Sequence, residues 1–478
     1  MSASVARVGQ ALRVGPRMAW LIAACGLVGV AGVAALATRQ GMLTILFGLA
    51  ALGVATLLGL RWPLLPLALF AALIPIEEVV VIPGFGTISR FAGILFAVTY
   101  AVPRLGHLKL GAMPPAAWAY LAWAVVSAGW ALDAGTAWGQ IMTLLQLFVI
   151  AFFVADFVVH RPATVRSILW VYSLSATATA LIGIQTYVAS GYMTETRAAA
   201  LQDQNPAQFA AVLLPALVFG LHEALNGDRR ILGAMIGLVT TIGVVVSGTR
   251  GAWVAVVVVL LLFTFPQLSP KRRVAAAVLA VALAAVAYQI PGVPELIAER
   301  AGSALSTGGA GRTDIWSVAG TIYQSSPVLG VGYANFPVAY TPQVVRASDV
   351  SSWAHLEGRG PHNLVIGTIV ELGPIGLLLL ALFLGPLLLR RGWGPEAATV
   401  QAALASLLTL ALFLDILSNR KQVWLVIGFT AGLVYLARRG GPEVGDRPRD
   451  VLSVADPPVM AAGPGLPPGD RRESPPRP

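Results

Sequence analysis

The 478-residue sequence is poor in the residues that build cofactor and metal sites. It has a single cysteine, Cys25, so it can form neither an intrachain disulfide nor a site of several thiolate ligands. Its 5 histidines do not show the close spacing of metal ligands, and no glycine-rich loop for nucleotide phosphates is present. We therefore expect no metal and no cofactor, and no direct use of ATP.

Charged residues are also scarce. They make up 11% of the chain, against roughly 25% in a soluble domain, whereas hydrophobic residues make up 57%. Apolar stretches long enough to cross a bilayer recur from end to end. They predict spans at about 18–37, 42–60, 62–76, 89–102, 115–132, 136–159, 164–188, 205–223, 231–248, 250–266, 273–290, 362–389, 396–417 and 421–437. We expect an all-α polytopic membrane protein with about 14 transmembrane helices, or 12 if 62–76 and 89–102 form one re-entrant element.

The basic residues lie mostly on one side of these spans if the N-terminus is cytoplasmic. Twelve then fall in inside loops, three in the N-terminal segment and seven in the C-terminal tail, which together are 22 of the 32 lysines and arginines. This positive-inside pattern predicts that both termini are cytoplasmic. The net charge of +10 is thus mainly an orientation signal. Because no basic stripe with interleaved aromatics occurs, we expect no nucleic-acid partner.

Three regions differ in composition. Residues 1–230 are N-terminal spans with short loops, residues 231–437 carry the polar features, and residues 438–478 are rich in Pro, Gly and Arg. The last region predicts a disordered cytoplasmic tail. One long loop, residues 291–361, faces outward in this topology. It contains an amphipathic stretch, residues 313–323, which predicts a short helix within the loop.

Four polar features fall on the outer side of the membrane in this topology. They are Arg250 within Gly-Thr-Arg-Gly, Arg312 in the long loop, His362 with Asn363, and Asp415 before the last span. Each also has a simpler explanation. A lone arginine can extend to lipid headgroups, a histidine can be a polar interface residue, and Asp415 can form a structural ion pair with a nearby cation.

Taken together, these residues suit the transfer of a group from a diphosphate. Two guanidiniums can bind a pyrophosphate through bidentate hydrogen bonds and stabilise the charge on a departing diphosphate. A histidine can take a proton from an incoming hydroxyl. Gly373 and Gly376 follow His362 by eleven and fourteen residues. At about 100° per residue, a continuous helix would place both glycines under the histidine, on a face where another helix can pack closely.

The same residues resemble the O-antigen ligase and O-antigen polymerase superfamily. The resemblance rests on Arg250 in its glycine setting, Arg312 four residues before Trp316, and His362-Asn363 followed by Gly-Pro-Ile-Gly at 373–376. It implies an inverting, metal-independent glycosyltransferase that takes a glycan from undecaprenyl diphosphate on the outer face of the bacterial plasma membrane. In such an enzyme Arg250 and Arg312 would bind the diphosphate and His362 would activate the acceptor.

The acceptor stays open at this point. Within the superfamily, ligases transfer the glycan to lipid A–core of lipopolysaccharide, polymerases transfer it to another lipid-linked repeat, and a third branch transfers it to protein hydroxyls. The expected partners are therefore the lipid-linked donor, a lipid or glycan acceptor, and membrane lipids. A flippase or transporter of lipid-linked glycans is the alternative. It would explain the spans, but transporters usually place ionisable residues near the bilayer midplane, where this chain has few.

Overall fold

The computed structural model describes residues 53–77, 81–82, 86–192, 199, 205–261, 269–306, 312–344 and 358–441. The predicted span 18–37, most of 42–60 and the tail from residue 442 lie outside these residues. Parts of the long outer loop, residues 307–311 and 345–357, also lie outside them.

The described chain is almost entirely helical. Its helices are α1 (Gly53–Arg61), α2 (Leu64–Leu73), α3 (Ile88–Ala101), α4 (Pro115–Ser127), α5 (Ala134–His160), α6 (Thr164–Ala189), α7 (Pro206–Asn226), α8 (Arg230–Val246), α9 (Arg250–Val259), α10 (Pro270–Tyr288), α11 (Val293–Ser306), α12 (Arg312–Ser325), α13 (Phe336–Val344), α14 (Leu364–Leu389), α15 (Ala397–Ala411) and α16 (Lys421–Arg439). Two strands of two residues each, β1 (Val81–Ile82) and β2 (Gly86–Thr87), pair antiparallel. The all-α polytopic class is confirmed.

Within the described residues, four helices are long and apolar enough to cross a membrane: α5, α6, α7 and α14. The number rises to six if each of two bent pairs is one span. These pairs are α1 with α2, bent by 117°, and α10 with α11, bent by 99°. Helices α4, α8, α9 and α15 are shorter apolar helices at the positions of predicted spans. The count of 12 to 14 spans, and the side of the membrane that each end faces, stay predictions.

Close helix packing joins the N-terminal part of the chain to its C-terminal helix. α16 lies along α5 with Gly428 and Gly432 at the contact, where an added Cβ would lie 2.7 Å from the carbonyl oxygens of Ala151 and Ala155. Small residues four positions apart allow two backbones to approach in this way. The three regions predicted from composition stay a prediction, but helices from the first two of them share this core.

The helix that follows His362 is broken. Gly373 has φ 67° and ψ −175°, a conformation that is essentially restricted to glycine, and Pro374 follows it. Because proline has no N–H, the carbonyl of Val370 loses its intrahelical donor, and the break removes the partners of the next two carbonyls.

Donors from elsewhere in the chain satisfy the three carbonyls. Val331 N–H donates to Val370 at 3.0 Å and Gly332 N–H donates to Glu371 at 2.9 Å. The indole of Trp123 donates to Leu372 at 2.9 Å. Non-helical backbone at membrane depth is tolerated only where its polar groups are satisfied, and here they are.

The expectation of a smooth glycine face under His362 is therefore wrong. It assumed a continuous helix, whereas α14 changes direction at Gly373. A side chain at Gly373 would collide with the carbonyl of Val328, which belongs to the loop between α12 and α13. A side chain at Gly376 would collide with Leu372 of its own helix. These glycines permit a break and the close approach of a loop, and they do not form a seam for a neighbouring helix.

Candidate active site

Asn363 is the N-cap of α14 and directly follows His362. Its Oδ1 accepts hydrogen bonds from the backbone N–H groups of Val365 at 2.9 Å and Ile366 at 3.0 Å, which is the usual geometry of an N-cap. Its Nδ2 donates to the carbonyl of Leu412 at 3.1 Å. The mouth of α14 is thereby tied to the segment that follows α15.

His362 precedes this cap in a strained conformation. Its φ of 49° lies in the left-handed region, which costs a non-glycine residue about 1–2 kcal/mol. Such strain persists only where the surroundings enforce it, and it is common at functional sites. Burial lowers the pKa of the half-buried imidazole to about 4, and the charges of Arg312 and Arg359 lower it further in the same direction. At neutral pH the ring is therefore uncharged.

Arg312 is the first residue of α12, and one contact with the mouth of α14 and one with the segment after α15 position that helix. The indole of Trp316 donates to the carbonyl of Pro361 at 3.1 Å, next to His362. The guanidinium carbon of Arg312 lies 5.8 Å from the centre of the Phe413 ring. Burial lowers the pKa of Arg312, and the nearby charge of Arg250 lowers it further. The two arginines are therefore close enough to repel each other.

Arg250 is the first residue of α9, and it lies near Arg312 and Phe413. Its Nη1 donates to the carbonyl of Arg300 on α11 at 3.0 Å. A Cβ added at Gly251 would lie 2.8 Å from Cβ of Phe413, so the start of α9 packs directly on the residue whose ring faces Arg312. Phe413 thus sets the spacing between the two arginine-bearing helices.

Asp415 lies in the segment between α15 and α16, two residues after Phe413. Its side chain is exposed, and it accepts a hydrogen bond from the Ser418 hydroxyl at 2.9 Å. It interacts electrostatically with Glu371 on α14 and with Tyr120 on α4. Two cations, Arg420 and Lys421, could have paired with Asp415. Arg420 interacts electrostatically with it, whereas Lys421 pairs with Glu77 and donates to Thr87 at 2.9 Å.

The structure thus brings together three of the polar features expected from the sequence. Arg250, Arg312 and His362 with its cap Asn363 meet around Phe413, and residues 412–418 link this cluster to Asp415. Gly373 and Gly376 lie further along α14 and act on the cluster only through the helix break.

Sequence reasoning missed three contributors. Phe413 and the carbonyl of Pro361 gave no signal, because an apolar ring at a span end and a backbone oxygen are unremarkable in sequence. Arg359 did give a signal, since it is a further arginine on the predicted outer side, where positive charge is disfavoured. Trp424 lies in the core with 1% of its surface exposed, and its indole donates to the carbonyl of Leu417.

The described residues contain no group of three or more His, Cys, Asp or Glu side chains arranged to hold a metal ion. The chemistry that the cluster itself offers is guanidinium binding of an anion beside a neutral imidazole. A diphosphate fits the arginines because planar guanidiniums bind phosphate oxygens in pairs.

Of three comparisons with known proteins, one found a match. No curated protein and no solved structure matches the chain significantly. A family model described as O-antigen ligase matches residues 234–381. The matched stretch includes Arg250, Arg312 and His362, as well as both glycines of the helix break, while Asp415 lies beyond it. Residues 234–381 of the chain are thus similar to the O-antigen ligase family, which supports the resemblance drawn from the sequence.

Proposed function

We propose that this chain is a glycosyltransferase that moves a glycan from undecaprenyl diphosphate to an acceptor hydroxyl on the outer face of the bacterial plasma membrane. The observation that carries the proposal is the meeting of Arg250, Arg312 and His362. Arg250 and Arg312 are the first residues of α9 and α12, and His362 lies two residues before α14. All three lie near Phe413, although 112 positions of sequence separate the first from the last.

The arginines provide the binding energy for the leaving group. Burial of Arg312 and the nearby charge of Arg250 both lower the pKa of Arg312, so keeping this guanidinium charged at the site costs energy. An anion placed between them removes that cost and adds charge-assisted hydrogen bonds. Because negative charge grows on the diphosphate as the sugar leaves, these bonds strengthen towards the transition state and accelerate the reaction.

His362 removes the proton from the acceptor. An acceptor hydroxyl attacks the anomeric carbon on the face opposite the diphosphate, and the new carbon–oxygen bond forms as the bond to the phosphate oxygen breaks. The electron pair of the broken bond leaves with the diphosphate, and the hydroxyl proton passes to the imidazole. Attack from the opposite face inverts the anomeric configuration. No step requires a metal ion or ATP.

A reconstituted assay tests this function. The purified protein in vesicles should transfer the glycan from a polyprenyl-diphosphate donor to an added acceptor in the presence of EDTA and without ATP. Lipid A–core and a second lipid-linked repeat are offered separately, because they distinguish a ligase from a polymerase. Movement of the donor between leaflets, without any glycosidic product, would favour the flippase instead and overturn the proposal.

A further inference from the structure

The loop between α12 and α13 has an unusual backbone conformation, and none of its residues takes part directly in the proposed reaction. Residues 326–336, here named the 326–336 turn, run from the arginine-bearing helix α12 to the start of α13. Three of its residues have positive φ: Gly330 at 72°, Gly332 at 96° and Ala334 at 58°. Alternation of this kind turns successive N–H groups towards one side, where they form a concavity for an anion.

The group that occupies that concavity is the carboxyl group of Glu371. Its Oε1 accepts a hydrogen bond from Phe336 N–H at 3.1 Å, and its carboxylate also accepts one from the backbone of Ala334. Phe336 is the first residue of α13, so the carboxylate also lies at the positive end of that helix. An acidic side chain seven positions into a membrane-length apolar helix is costly unless it has such partners.

Glu371 is also the point at which the turn is joined to the broken helix. Its own carbonyl, released by the break at Gly373, accepts from Gly332 N–H, and the preceding carbonyl of Val370 accepts from Val331 N–H. One residue of α14 therefore holds the turn by its backbone and by its side chain.

These contacts fix α12 at both ends relative to α14. Near its start, Trp316 donates to Pro361 beside His362. Beyond its end, the 326–336 turn is held by Glu371. Since α12 carries Arg312 and α14 begins beside His362, the distance between the guanidinium and the imidazole depends on both attachments.

We propose that Glu371 is a positioning residue, whose carboxylate sets the placement of the arginine-bearing helix α12 against His362. The consequence for catalysis rests on the proposed function, whereas the structural consequence does not. A displacement of about 1 Å at the reacting groups can cost about 10²-fold in rate. Loss of the carboxylate should therefore lower the single-turnover rate strongly, while donor binding, which also uses Arg250 on α9, falls less.

Two spin labels measure the placement directly. The single native thiol is removed with Cys25→Ser, and labelled cysteines are introduced at Ser317 on α12 and at Val365 on α14, both exposed positions. In Glu371→Leu the distance distribution should broaden or shift. In Glu371→Gln, which keeps an oxygen acceptor for Phe336 N–H, it should stay close to that of the parent. If the leucine variant cannot be purified, Glu371→Asp should give the same change with smaller amplitude.

Transfer is measured on the same variants. We expect Glu371→Leu to lose about 100-fold in single-turnover rate, with the donor Kd weakened less than about tenfold, and Glu371→Gln to recover most of the rate. If the distances change but the parent transfers no glycan, the proposed function fails and the positioning role stands. An unchanged distance distribution in Glu371→Leu or Glu371→Asp overturns the positioning role. So does a glutamine variant that has parental distances but no activity, since the carboxylate would then take part in the chemistry itself.

Discussion

As the pH is lowered, the transfer rate should begin to fall at a much lower pH than it would if His362 had the pKa of an ordinary histidine. In the free protein, burial and the charges of Arg312 and Arg359 lower the pKa of His362 from 6.5 to about 4. At pH 5.5 about 97% of such an imidazole is neutral, against about 9% at the unperturbed pKa of 6.5. Since only the neutral ring accepts a proton, activity is lost as the pH falls through the folded-state pKa. kcat/KM should thus stay level from pH 7.5 to 5.5 and decline only below about pH 5.

Two comparisons test the cause of this shift. Arg359→Gln removes one nearby positive charge, so its kcat/KM limb should move to higher pH. In the donor complex the diphosphate offsets the charge of Arg312, so the limb of kcat should also lie at higher pH than that of kcat/KM. The assay is initial transfer rate against pH in vesicles, with protein integrity checked at each pH. A kcat/KM limb near 6.5 that does not move in Arg359→Gln would refute the reasoning.

Three further predictions follow from the fold and the site. Arg312→Lys keeps the charge but loses the planar fork, so kcat/KM should fall by about 10–100-fold in the transfer assay, and a parental value would show that charge alone suffices. Gly373→Ala forces a side chain into a glycine-only conformation, so the free energy of unfolding in detergent should fall by about 1–3 kcal/mol. Gly385→Ala on the same helix is the control: an added Cβ there meets nothing within 4 Å, so the free energy of unfolding should change little. Reporters fused at Gly309 and Gly441 should lie on opposite sides of the membrane, and finding them on the same side would contradict the predicted topology.

The sequence allowed the class and the main cluster to be predicted for physical reasons. A helix in a bilayer must satisfy its own backbone and cover itself with apolar side chains, so hydropathy alone predicted the positions of the long apolar helices of the described region. Positive charge is disfavoured on the outer side, so arginines placed there needed a reason. That argument selected Arg250 and Arg312, and the structure brings both to His362.

The helix break was not predicted, because its effect depends on tertiary partners. Pro374 within an apolar stretch is compatible with a continuous transmembrane helix whenever neighbours supply the missing hydrogen bond. Here the donors are Val331 and Gly332, about 40 residues earlier in the chain, and Trp123, 249 residues before the carbonyl of Leu372 to which it donates. The prediction that Gly373 lies under His362 was wrong because it assumed the angles of a continuous ideal helix.

Phe413 and Trp316 were not predicted as parts of the site for the same reason. Phe413 separates the two arginine-bearing helices, and Trp316 holds one of them to Pro361. Both act through contacts between segments that are distant in sequence. An aromatic residue near a membrane surface is usually explained by lipid contact, so composition and spacing do not distinguish that role from the one observed.

The most direct test of the central claim is single-turnover transfer by His362→Ala, measured beside donor binding on the same preparation. The account predicts a fall of about 10²–10⁴-fold in the transfer rate, because the acceptor proton loses its base. The donor Kd should stay within a few-fold of the parent, since the arginines that hold the diphosphate are intact. Transfer at the parental rate by a folded His362→Ala protein would contradict the account.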